Sequence, residues 1–123
     1  RSGDGDGLAR RSQALATICI LWDTEAVPDV STTELFDRWI VGLRDVAGRA
    51  HILRRIVRLQ EGNPGHLASV GGGVSEMKID TGPGYRVYFV ERANGAIVIL
   101  LCGGDKSSQV RDIARAHKLA LTV

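Results

Sequence analysis

Lys78, Arg86 and Lys106 are the residues in this chain whose type and spacing suit meeting an anion. Gly82-Pro83-Gly84 punctuates the chain as a turn. Tyr85, Val87 and Phe89 then alternate with Arg86 and Tyr88, the period of a half-buried strand. One face of that strand is apolar and belongs on a core. The other presents a guanidinium and a phenol. A charge carried on a strand meets its ligand at a fixed place, which a loop would not ensure. Hairpin arithmetic extends the picture. If residues 81–83 form a tip, Lys78 stands opposite Arg86. If Asn94-Gly95 forms the next tip, Arg86 stands opposite Gly103, and Lys106 follows within a few residues. A slip of one residue would turn Lys78 to the other face. Like charges facing across a strand pair repel, so the crowding makes sense where an anion sits between them. The plain alternative is two surface cations splayed into water.

The elements that must position these residues follow from periodicity. Residues 1–14 are rich in Gly, Asp and Arg and are expected to be a disordered extension. Residues 15–123 are expected to form one domain. Residues 17–22 are β-branched and aromatic, and read as the first strand. Ser31 with Glu34 three residues on is a capping-box signature. Leu35, Phe36, Trp39, Ile40 and Leu43 recur at helical spacing after it. Asp45 caps a second helix that runs to about Glu61, with Ile52, Ile56 and Leu59 on its buried face. Arg49, Arg54, Arg55 and Arg58 lie around the rest, either as a solvated face or as a contact surface for RNA or an acidic partner. Residues 66–70 form a short extended piece. Strands follow at 74–79, 85–91 and 96–102, the last continuously apolar and expected to be covered on both faces. Asp105, Ser107 or Ser108 caps a final helix with the stripe Val110, Ile113, Ala114 and His117. This order predicts an α+β domain: a mostly antiparallel sheet, two N-terminal helices and a C-terminal helix. The helices are expected on one face, with the other partly open.

Composition narrows the classes. The chain is 44% apolar and 24% charged, with a formal net charge of +2. So mild a charge requires a local basic patch for any nucleic-acid role. Cys19 and Cys102 sit inside apolar runs and read as buried free thiols, which suits a reducing cytoplasm. The apolar run 14–22 is too short to span a bilayer. Arg10-Arg11 ahead of it imitates a secretion signal, but no cleavage site follows. His51, His66 and His117 are scattered without ligand spacing, so no metal and no cofactor are expected. His66, in a loop near the candidate site, is a candidate proton carrier.

The stretch GPGYRVYF, followed by ILLCGGDKSSQVRDIARAHKLA, closes a run that also contains TELFDRWI, GLRD, LQEGNPG and VGGGVSEMKID in that order. From about residue 33 to 119 this run resembles the addiction-module killer proteins of the RelE/ParE toxin superfamily. The resemblance implies a small RelE-like domain and the toxin of a type II toxin–antitoxin pair. Many such proteins are metal-independent endoribonucleases that cut messenger RNA, often on the ribosome, through attack of the ribose 2′-OH on the adjoining phosphate. Others inhibit DNA gyrase and cut nothing. A third class would bind RNA or an antitoxin without catalysis. The partners implied are messenger RNA and a cognate antitoxin, a helix-turn-helix DNA-binding protein; no membrane is implied. Carried onto this chain, Arg86 would stabilise the pentavalent phosphate, and Lys106 and Lys78 would neutralise phosphate or move protons. Asp105 and Tyr88 would orient groups or act as acid and base, with Gln109, His66, Arg54 and Arg58 toward the RNA. Relatives carry an acid where His66 stands and a lysine where Ala68 stands, which here removes one cation from the RNA-facing side. Family members begin with a strand running almost directly into the helix that starts at Thr33-Glu34. That would move the first strand to 27–31, against Pro28, which is poor strand material.

Overall fold

The structure is a computed structural model and describes residues 28–123. The strand expected at 17–22, the extension at 1–14 and Cys19 lie outside the described residues. The first described strand, β1, is Asp29–Thr32. Helices α1 (Glu34–Gly42) and α2 (Val46–Gln60) follow. Then come β2 (Leu67–Ser69), β3 (Val74–Ile79), β4 (Tyr85–Arg92) and β5 (Ile97–Gly104). A 3-10 turn, Lys106–Ser108, leads into α3 (Gln109–Ala120). The five strands form one sheet in the order β1-β5-β4-β3-β2. Every pairing is antiparallel except β1 with β5. The expected α+β class is present.

Local chemistry sets the helix starts. Thr33, not Ser31, caps α1: its hydroxyl oxygen accepts from the Phe36 amide at 3.1 Å. That hydroxyl also donates to the Leu101 carbonyl at 2.6 Å, so one side chain satisfies a helix end and fastens it to β5. Ser31 is taken by the β1 ladder opposite Ile99, which is why the expected cap is displaced. Asp45 caps α2 as expected, accepting from the Gly48 amide at 3.0 Å. The Tyr85 hydroxyl donates to the same carboxylate at 2.8 Å, joining the loop before α2 to the start of β4. These two hydrogen bonds, the Gly48 one foremost, hold the Asp45 carboxyl below its ordinary pKa.

The sheet is packed on both faces, which corrects the expectation of an open side. On one face Phe36, Ile40, Ile52, Ile56 and Leu59 of α1 and α2 cover Met77, Ile79, Val87, Phe89 and Leu100. On the other, Ala116 and Ala120 of α3, with Ile113 and Leu119, cover Val74, Tyr88, Val90, Leu101 and Cys102. The stripe expected for α3 is rotated. Val110 is 86% exposed and Ala114 faces outward, while Asp112 turns inward at 3%. An inward carboxylate is not what hydrophobic periodicity proposes. Hydrogen bonds hold the far end of α3: the His117 ring lies 3.0 Å from the Val70 carbonyl, and Arg92 donates to the Ala120 carbonyl at 3.1 Å.

The register agrees with the hairpin arithmetic in one strand pair and departs from it in the next. Lys78 pairs with Arg86, as expected. From the Asn94-Gly95 turn the pairs run Arg92 with Ile97 through Phe89 with Leu100, then Tyr88 pairs with Cys102. Leu101 is the extra residue of a bulge. Arg86 therefore faces Gly104 rather than the expected Gly103.

Candidate functional site

Lys78, Arg86 and Gly104 form one row across β3, β4 and β5, on the face that α3 covers. The row lies at the end of the sheet where α3 begins. Arg86 is only 6% exposed. Its Nη1 donates to the Gly84 carbonyl at 2.8 Å. Its Nε lies 3.5 Å from Glu76 Oε2 in an ion pair that is buried on both sides, and makes no hydrogen bond. The same Glu76 oxygen accepts from Gln109 Nε2 at 2.8 Å. A carboxylate buried without partners would be costly. Here the first residue of α3 and the central strand share it, and the guanidinium is fixed as a result. Among the described residues no hydrogen bond engages Nη2.

Lys106 starts beside Gly84, whose carbonyl anchors Arg86, and its side chain is exposed. Hydrogen bonds brace the turn that carries it. Asp105 accepts from the Ser107 amide at 2.9 Å and from the Ser107 hydroxyl, while the Asp105 amide lies 3.3 Å from Ser108 Oγ. The Ser107 hydroxyl, with backbone donors and the nearby Arg86 charge, holds the Asp105 carboxyl below its ordinary pKa. Asp105 is an ionised acceptor at neutral pH. Lys78 is half exposed and 3.5 Å from Asp80, an exposed pair worth about 0–1 kcal/mol.

The other expected site residues are distributed differently. Tyr88 is fully buried under α3, opposite Glu76 in the register, and its hydroxyl has no hydrogen-bond partner. Burial first, then the Glu76 carboxylate, pushes its pKa far up, so the phenol stays neutral. Gln109 is occupied by Glu76. His66 is exposed and lies one residue before the Leu67–Met77 pair, level with Lys78. Arg54 and Arg58 are exposed on α2, which packs on the opposite face of the sheet from Arg86. Arg55 of the same helix donates to the Lys78 carbonyl at 2.8 Å and the Pro64 carbonyl at 3.1 Å, and ties α2 to the end of β3.

Two residues at the site, Glu76 and Asp112, were missed by sequence reasoning. Glu76 shares a strand face with Val74 and Lys78, and the buried Val74 is the signal that this face is covered. Asp112 accepts from the Ser108 hydroxyl one helical turn earlier. It occupies the space above Gly104, where any Cβ would collide with it. The glycine was therefore the available clue. Cys102 is free and buried beside this cluster; burial, then Asp112, pushes its thiol up to about 11.

Comparison with known proteins places the chain beside a relative of no assigned activity. No protein-family profile matches the chain. An uncharacterised protein of Haemophilus influenzae is 50% identical over 91 residues, which cover 74% of this chain and 91% of that protein. The chain belongs to the same family as that protein. A chain of the archaeal RelE–RelB complex from Pyrococcus horikoshii OT3 is similar in structure with a TM-score of 0.46 and 15% identity, over 65% of this chain and 96% of the other.

Proposed function

We propose that this chain is the toxin of a type II toxin–antitoxin module and that it cleaves messenger RNA at the row containing Arg86. The ordered motifs from residue 33 to 119 support the class. The observation that carries the site is Arg86 itself: a buried guanidinium held on the central strand by Glu76 and Gly84, with Lys78 in register and Lys106 alongside. In the reaction, the ribose 2′-OH loses its proton and bonds to the adjoining phosphorus. The bond to the 5′-oxygen breaks and that oxygen takes up a proton, leaving a 2′,3′-cyclic phosphate and a 5′-hydroxyl. Arg86 and Lys106 stabilise the charge gathered on the non-bridging oxygens, the kind of contribution that dominates such reactions. Asp105 orients as an anion. Lys78, Lys106 and His66 are the exposed groups left to move protons. A cognate antitoxin in the same cytoplasm, gripping the two-helix segment from Ser31 to Glu61 with Arg54, Arg55 and Arg58, belongs to this reading.

A second reading has its own observation. Tyr88 is buried, Gln109 is bound to Glu76, and Asp105 is tied to Ser107. Proton carriers beside Arg86 are therefore few, which favours binding over chemistry and suits a gyrase inhibitor. One experiment separates the two. RNA is incubated with the protein in EDTA, with and without ribosomes, beside a gyrase supercoiling assay. The expected result is cleavage leaving cyclic phosphate ends, reduced by about two to three orders of magnitude in Arg86→Ala. Gyrase inhibition without any RNA cleavage, or full cleavage by Arg86→Ala, would overturn the assignment.

A further inference from the structure

Helix α3 turns Asp112, Ala116 and Ala120 toward the sheet, and Arg111, Arg115 and Lys118 toward solvent. Residues four and then three apart share one side of a helix. At a rise of about 1.5 Å per residue, the three cations follow one another at about 6 and about 4.5 Å along the axis. None of them makes a hydrogen bond or ion pair among the described residues. Arg49, Arg55 and Arg92 differ, since each donates to backbone carbonyls and braces the fold. Asp112 is the one acid in α3 and it is buried, so no carboxylate of the helix stands on the exposed side. The helix dipole accounts for Lys118 in the last turn but works against Arg111 in the first. The stripe lies on the β5 side of α3. The Arg115 charge reaches Cys102 of that strand, whereas His117, on the other side of the helix, lies against the Val70 carbonyl. Lys106 stands two residues past the end of β5, where α3 begins.

We propose that Arg111, Arg115 and Lys118 form a track along α3 for the single-stranded RNA that flanks the phosphate at Arg86, gripping its backbone rather than its bases. The track rests on the reading of the Arg86 row as an RNA site and extends it. That row lies on the sheet face that α3 covers, at the end where the helix begins, and Lys106 links the two. A polyanion that crosses the row meets the stripe next. Contacts to phosphate fix the place and direction of a strand but carry no sequence information. Helix α3 contains no Phe, Tyr or Trp on which a base could stack, so the stripe positions RNA and leaves the choice of base to the row itself. Other occupants fit less well. A second copy of this chain would bring two stripes of like charge together and repel. An acidic protein would match the charges, but it has no need of their continuity with Lys106 and Arg86.

The test titrates the full chain with a fluorescent single-stranded RNA of about twelve nucleotides. Its riboses are 2′-O-methylated, so no 2′-OH is present to attack and the RNA stays whole. Arg111→Gln with Arg115→Gln and Lys118→Gln is expected to lower affinity at least about tenfold at low salt, with an unchanged circular dichroism spectrum. The log–log salt slope should become shallower by about two units, since each contact to a single strand contributes about 0.7. Arg111→Lys with Arg115→Lys keeps the charges and should keep the wild-type slope. With cleavable RNA the glutamine variant should act on KM rather than kcat, whereas Arg86→Ala lowers kcat. A shallower slope in a protein that cuts no RNA would support the track and overturn the ribonuclease reading alone. Three results would overturn the track: an unchanged slope in the glutamine variant, a fall in kcat at unchanged KM, or polyglutamate competing as well as RNA of equal charge.

Discussion

Arg86 owes its position to Glu76, and Glu76 owes its tolerance in the interior to Arg86 and Gln109. The neighbouring Tyr88 gains nothing comparable, since its hydroxyl is buried without a hydrogen bond. An unpaired buried polar group costs about 1–3 kcal/mol. Tyr88→Phe is therefore expected to leave stability unchanged or raise it by about 1 kcal/mol in urea unfolding, and to leave RNA cleavage intact. A large drop in cleavage without loss of stability would make the phenol a participant. Asp105 makes a pH prediction. Its pKa in the folded chain lies below the ordinary value of 3.8, so its contribution is present above that value and fades as pH falls through the folded pKa. The melting temperatures of the wild type and Asp105→Asn should differ at neutral pH and converge in acid. A gap that widens in acid would contradict the hydrogen-bonded carboxylate.

At the scale of elements, the start of α1 distinguishes the expected cap from the observed one. Thr33→Ala should cost about 1 kcal/mol or more, because it removes a cap and also leaves the Leu101 carbonyl unpaired. Ser31→Ala should stay within about 0.5 kcal/mol. Equal losses would return the cap to Ser31. Much of this level was legible in the residues. The turn glycines and alternating apolar residues located β3, β4 and β5, and Asp45 announced α2. What failed was whatever depended on a contact distant in sequence. The inward face of α3 is organised by Asp112, which is tolerable because Ser108 donates to it and Gly104 leaves room for it. A helical stripe of apolar residues contains no record of that arrangement.

For the whole molecule, the two cationic regions lie on opposite sides of one sheet, and a formal net charge of +2 supplies little long-range attraction. Salt dependence of RNA binding should then count local contacts. Lys106→Gln should make the log–log slope shallower by about one unit, measured by titration across a range of salt. An unchanged slope would put Lys106 outside the RNA footprint. The candidate row itself was legible as far as Lys78 and Arg86, because a tight hairpin fixes its partners by counting. The displacement of Gly104 was not, because the residue that disturbs the count is an ordinary buried leucine.

That leucine gives β5 a change of parity. Before it, the even-numbered Val98 and Leu100 look toward α1 and α2; after it, the even-numbered Cys102 looks toward α3, Gly104 lies beneath Asp112, and Gly103 comes to lie under Trp39. In β4 the odd-numbered Tyr85, Val87 and Phe89 keep one side throughout. The strand thus carries two numbering frames joined at Leu101, and each glycine is admissible only in the frame it occupies. Leaving Leu101 out of the count makes Leu100 and Cys102 neighbours opposite Phe89 and Tyr88, and one alternation runs unbroken from Ile97 to Gly104.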